Sequence, residues 1–301
     1  MKKNFQGTSR LYLSTTITVF AVCYTGLILL PGFSLLQDPD TFWHIRTGQW
    51  ILDHAQFPTA DVFSYTANGK AWISTEWIPQ IIFAIAYKFG GWRAVVVVTA
   101  MCAAVAISIL GLYLVRWLRF SVVIGWTALT MMAIGPHLLA RPHIFSYVLM
   151  AIWMINLLDA YDDDSSLPPW RTLVPLIVLW ANIHGSFTFG LALLGIFAAV
   201  LFIQNIARRN YAECRHLVLT VCIVSASALL TPYGISSAFM TLEVLDLKYT
   251  IPQIVELHAP DFQVSKNYLF FFSCIVAVVA GFGVRLSGAR LITFICMMIG
   301  G

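Results

Sequence analysis

Asp38, Pro39 and Asp40 set two carboxylates two residues apart, and a histidine and an arginine follow within eight positions, at His44 and Arg46. Such a set can hold a proton acceptor beside an anion. A carboxylate takes the proton from an attacking hydroxyl or amine, and a guanidinium grips a phosphate in two-pronged fashion. Burial would raise a carboxylate pKa and the arginine would lower it, so the cluster is tunable. The same residues also read as the start of a helix near Phe42, with Asp40 or Thr41 as its cap. Only one aspartate is needed for that, so both readings can hold.

Four further clusters follow along the chain. Glu76, with Trp72 and Trp77 close by, pairs an acid with aromatic surfaces that suit a sugar face, and suit an interfacial aromatic belt equally. His137, Arg141 and His143 place two histidines and an arginine within seven residues, for phosphate contact or for snorkelling to headgroups. Asn182 and His184 sit at the rim of an apolar run, where polar side chains either face a site or bond between helices, and His184 is the stronger site residue of the two. Thr231 to Gly234, and Glu256, His258 and Asp261 beyond, could complete a site or solvate a loop.

No Gly-rich phosphate loop, HExxH or nucleophile elbow occurs. His44 and His54 lie ten apart, which is no metal spacing. The six cysteines fall almost entirely inside apolar runs and read as small buried hydrophobes. The 18 Lys and Arg against 14 Asp and Glu are scattered singly or in pairs, so nucleic acid is excluded as a partner.

The elements that must position these residues belong to a membrane. Of 301 residues, 59% are hydrophobic and 11% charged, against the roughly 25% charged of a soluble domain. A span needs about 20 apolar residues. The runs predict spans near 11–31, 93–115, 120–138, 143–160, 171–187, 188–207, 217–233 and 268–284, with a ninth from 291 that is cut off. The first run is too long for a signal-peptide core and lacks a cleavage site, so it is expected to stay. The fold class expected is all-α: one polytopic transmembrane bundle over 1–301, with a folded outer loop at 32–91 and a second at 231–267. Inside the first loop, 43–54 and 77–88 are amphipathic candidates for interfacial helices. Placing the N-terminus in the cytoplasm puts eleven of the 18 basic residues inside and leaves the acids of both large loops outside. The final run lacks a basic flank, and a fragment is expected.

Asp38 to Gly48, Phe63 to Thr66, Glu76 and Trp77, Arg141 and Pro142, Asn182 to Gly185, and Thr231 to Gly234 together resemble bacterial multispanning proteins of the GT-C glycosyltransferase superfamily, similar to protein mannosyltransferases and lipid-A aminoarabinose transferases. The resemblance covers most of the chain. It implies an inverting enzyme of the bacterial inner membrane, moving a sugar from a polyprenyl-phosphate carrier to a lipid, glycan or protein acceptor at the periplasmic face. In those families an acid in the first outer loop acts as base or holds a metal, which falls here on Asp40 or Asp38. A divalent cation is thus an open cofactor, with no ligand set assigned. The arginine near the carrier phosphate maps to Arg141, with Arg46 as the alternative. His44, Glu76, Trp77, His137, His143, Asn182 and His184 complete the substrate-binding expectation. The chain departs from the pattern in having Asp-Pro-Asp in place of adjacent acids, and in stopping short of the later spans and soluble C-terminal domain of many members.

Two other classes are weighed beside this one. A transporter or flippase of a lipid-linked or anionic solute would use Arg141, His137 and His184 along a pathway, but no internal repeat or mid-span charge is seen. A non-catalytic truncated relative would tolerate loss of an aspartate.

Overall fold

In the computed structural model, residues 5–29, 35–162, 167–237 and 239–240 are described. The expected spans at 268–284 and from 291, most of the loop at 231–267, and Cys274 and Cys296 lie outside them. The described residues form helices α1 (Phe5–Leu29), α2 (Asp40–His54), α3 (Trp77–Leu114), α4 (Phe120–Ile134), α5 (His143–Asp162), α6 (Trp170–Ala181), α7 (Phe187–Ala207) and α8 (Tyr211–Ser227), and no β-strand. One isolated antiparallel bridge joins Ala60 and Ala71.

Among the described residues, five stretches are long and apolar enough to cross a membrane: Tyr12–Leu29, Trp77–Leu114, Phe120–His137, His143–Tyr161 and Phe187–Ala207. In α1, Thr15, Val19, Cys23 and Leu27 are buried at four-residue spacing while Leu13, Ile17 and Val22 are exposed. One stripe packs on protein, and the opposite face is equally apolar. An apolar outer face on a long helix is what lipid requires, and the class defined is a polytopic α-helical membrane protein.

The chain divides into two compact units, 1–55 with 78–155 and 56–77 with 156–301. In the first, α1 packs on α4. Its core gathers Val19, Cys23, Ile45, Phe83, Ala103, Ile107, Leu138 and Ile144. α2 turns Thr41, His44, Ile45, Thr47, Gly48 and Ile51 inward, one face of a 3.6-residue helix. At Gly48 a Cβ would lie 2.0 Å from the Gln80 carbonyl oxygen, so only glycine lets α2 approach the start of α3 this closely. Ala55 ends α2 in the left-handed conformation, with φ 52°.

α3 is two helices joined at a kink. Gly91 has φ 58° and ψ −149°, a conformation open to glycine alone. The break falls between the interfacial segment expected at 77–88 and the span expected from 93, so the sequence division is kept although the helix runs on. Pro79 is accommodated because it lies in the first turn, where no amide needs a helical partner.

In the second unit α7 packs on α8, and α6 packs on both. Gly190 lets the fully buried Trp180 ring in, since a Cβ there would stand 2.6 Å from the ring. α6 ends six residues short of the run expected at 171–187. Its 12 residues make about 18 Å, against roughly 30 Å of hydrocarbon. The chain leaves the helix because Asn182 spends its amide on carbonyls, as described below. α8 starts earlier than the run at 217–233, where Asn210 caps the Glu213 amide.

Candidate functional site

In the first unit, Arg141 brings the two aspartates of the Asp-Pro-Asp stretch together. Its Nη1 lies 3.0 Å from Asp38 Oδ2, and its Nη2 lies 3.0 Å from Asp40 Oδ2. The two acids differ. Asp38 is held on both oxygens, because its Oδ1 accepts the Asp40 amide at 2.8 Å, and its side chain is 10% exposed. Asp40 has the single contact with Arg141 and a side chain 55% exposed. The expected cap at Asp40 or Thr41 is not formed: the N-cap position is Pro39, which offers no side-chain acceptor, and Asp38 before it takes the first helical amide instead. Pro39 sits between and carries no amide hydrogen, so the donor that Asp38 meets is the first amide of the helix.

Arg141 is placed by the turn that carries it. The Ala140 amide donates to Leu35 O at 2.8 Å, tying the turn to the segment that leads into Asp38. His143 Nε2 lies 2.8 Å from the His137 carbonyl oxygen and closes the turn from the other side, where a ring N–H donates. His137 is exposed beside it, as the last residue of the 3-10 turn Gly135–His137. An open groove of about 440 Å³ adjoins the cluster, with Leu36, Phe42 and Trp92 as apolar walls and Gln37, Asp38 and Thr41 as polar ones.

His44 and Arg46, expected beside the acids, are directed elsewhere. His44 is buried between α2 and α3 with Nδ1 3.4 Å from Gln80 Nε2. Arg46 donates from Nη1 to Gln49 Oε1 at 2.9 Å on the exposed face of α2.

The second unit brings together a different set. Glu76 Oε1 is 3.3 Å from His184 Nε2. His184 Nδ1 accepts the Ser186 amide at 3.1 Å, so the proton of the neutral ring sits on Nε2 and faces the carboxylate. Ser186 Oγ in turn accepts the Trp180 indole N–H at 3.0 Å. Trp77 donates its indole N–H to Asn182 Oδ1 at 2.8 Å, while Asn182 Nδ2 donates to Val178 O and Leu230 O at 2.8 and 2.9 Å. Asn182 is thus a fully used strut, the helix-bonding alternative weighed for it. Phe57 meets the edges of Trp77 and Tyr233, and Tyr233 donates its hydroxyl to Pro58 O at 3.0 Å.

Sequence reasoning missed Gln80, Ser186 and the Leu230 carbonyl. Ser186 stands two residues after His184, but the bond to the ring comes from its backbone amide, which its residue type does not signal. Among the described residues no three His, Cys, Asp or Glu side chains converge as a metal-holding group. Asp38 and Asp40 offer two carboxylates, each with an oxygen already on Arg141. That set does not fit a divalent cation, and the chemistry below uses the carboxylate alone.

The geometry thus describes a membrane protein with an acid, guanidinium and groove cluster in one unit and a carboxylate–imidazole pair in the other. Comparison of the chain with protein-family models, curated proteins and solved structures finds no match in any of the three.

Proposed function

We propose that the chain is a GT-C-like glycosyltransferase of the bacterial inner membrane, with its N-terminus in the cytoplasm and its chemistry at the periplasmic face. It would move a sugar from a polyprenyl-phosphate carrier to a lipid, glycan or protein acceptor. The observation that carries this reading is the Arg141 fork, one guanidinium against two carboxylates, of which Asp38 also lines a mostly apolar groove.

Transfer needs both groups. The acceptor oxygen or nitrogen attacks the anomeric carbon, the bond from that carbon to the phosphate oxygen breaks, and its electron pair leaves on the phosphate. A single displacement of this kind inverts the anomeric centre. Arg141 is the group suited to the charge that develops on the phosphate. Asp40, the more exposed acid with the single contact, is the group suited to accept the acceptor's proton. Asp38, fixed at both oxygens, holds the frame. Within the second unit, Glu76 and His184 supply a carboxylate and an N–H beside Trp77, the pairing expected for hydroxyl-rich ligands.

A transport reading draws support from the short α6 and the polar turn 182–186 that follows it, since transporters use broken helices around polar sites. The enzyme reading is tested by transfer of label from a panel of polyprenyl-phosphate sugars to membrane acceptors by purified, reconstituted protein. Transfer that is lost in Arg141→Gln supports it. Solute flux across the vesicle without transfer would favour the transporter.

A further inference from the structure

The Arg141 fork is filled by the protein's own carboxylates, and this has a chemical consequence for the order of events. An aspartate oxygen held 3.0 Å from a guanidinium is already engaged with a donor and is not turned toward an acceptor's proton while held. A guanidinium carrying two carboxylates offers fewer donors to an incoming phosphate. The two roles assigned to the cluster therefore exclude each other in this conformation.

We infer that Asp40 is a placeholder which a phosphate anion replaces on Arg141, so that arrival of the phosphate-bearing ligand releases the carboxylate as a proton acceptor. This rests on the proposed reading that Arg141 meets a phosphate. Three observations favour exchange at Asp40 and retention at Asp38. Asp40 has one tether and is 55% exposed, while Asp38 has a second tether on the first amide of α2 and is 10% exposed. Anchoring of the turn through Ala140 and His143 keeps Arg141 in place when one arm of its fork is vacated. Next to Asp40, Thr41 is 2% exposed and its hydroxyl has no hydrogen-bond partner among the described residues. It lines the same groove as Asp38 and is a donor in reserve for an anion that takes the place of Asp40.

Exchange makes an unusual prediction about sign. Removing the acid proposed as the base should tighten phosphate binding. The test measures binding of farnesyl phosphate to the detergent-purified chain in the presence of EDTA, with inorganic phosphate and farnesol in parallel arms. The variants are Asp40→Asn, Arg141→Gln and Asp53→Asn. Asp53 is an exposed acid on the same helix, about 20 Å along it and beyond the roughly 8 Å screening length of physiological salt.

The expected result is farnesyl phosphate bound about two- to five-fold tighter by Asp40→Asn than by wild type, the weight of a half-exposed ion pair. Asp53→Asn stays at the wild-type value, Arg141→Gln loses binding, and farnesol is indifferent to every substitution. The same gain with inorganic phosphate assigns the exchange to a free anion, and a gain confined to farnesyl phosphate assigns it to a lipid-borne one. Equal or weaker binding by Asp40→Asn, or equal tightening by Asp53→Asn, overturns the exchange and leaves the phosphate reading standing. No binding of farnesyl phosphate by folded wild type overturns both.

Discussion

Asp38 holds Arg141 with one carboxylate oxygen, at 3.0 Å, while its other oxygen takes the first amide of α2 at 2.8 Å. One largely covered side chain thereby links a helix start to a turn about a hundred residues later. Replacing it leaves an amide and a guanidinium with a poorer acceptor, whereas replacing Asp40 removes a single, half-exposed contact. Asp38→Asn is expected to cost about 1–3 kcal/mol of stability. Asp40→Asn is expected to cost less than about 1 kcal/mol. Urea unfolding of the two variants in the same detergent measures the difference, and equal loss would contradict the assignment of Asp38 as the frame.

Asn182 satisfies an indole and two carbonyls at once. Asn182→Leu leaves these part-buried groups without their partner, for an expected loss of about 1–3 kcal/mol. The fluorescence of Trp77 should shift as its N–H loses its acceptor. A variant as stable as wild type would mean that water or another side chain already serves those groups.

Asp61 accepts the Ser64 hydroxyl and the Ser64 and Phe63 amides, and these bonds hold its carboxyl below its ordinary value. A carboxylate depressed in the folded state stabilises the fold above its unfolded pKa and stops doing so as pH falls through the folded one. The turn that closes at Ala60 and Ala71 should therefore be unchanged from neutral pH down to the ordinary aspartate range and loosen only below it. Titration of the Phe63 and Ser64 amide shifts follows this directly. A midpoint at or above 3.8, the unperturbed value, contradicts it.

Tyr65, at the tip of the same turn, is 99% exposed. In the proposed topology, with the N-terminus in the cytoplasm, this loop lies outside. Tyr65→Cys should react with a membrane-impermeant maleimide in intact spheroplasts, and reaction only after lysis would reverse the topology.

Much of the helical pattern was legible because apolar runs carry it. The ends of α5 and α7 fall within a few residues of the runs that predict them, and the Gly90–Gly91 pair marks its own break. The short α6 was not legible, because Asn182 and His184 barely interrupt the hydropathy. What ends the helix is a bond from Asn182 to Leu230 O, 48 residues away. The residues of the site were legible as types, but not as partners. Asp40 and Arg141 stand 101 residues apart, and their pairing follows from packing that no local pattern encodes. Arg46 lies nearer in sequence to the acids, yet helical spacing turns it toward Gln49 instead.

The central claim is tested most directly by comparing Asp40→Asn with wild type in two assays on one preparation: farnesyl phosphate binding and label transfer from a polyprenyl-phosphate sugar. The account predicts that wild type transfers label, and that the variant binds the phosphate more tightly yet transfers none. A variant that still transfers at the wild-type rate would contradict Asp40 as the proton acceptor, and a folded wild type that transfers from no donor would contradict the enzyme itself.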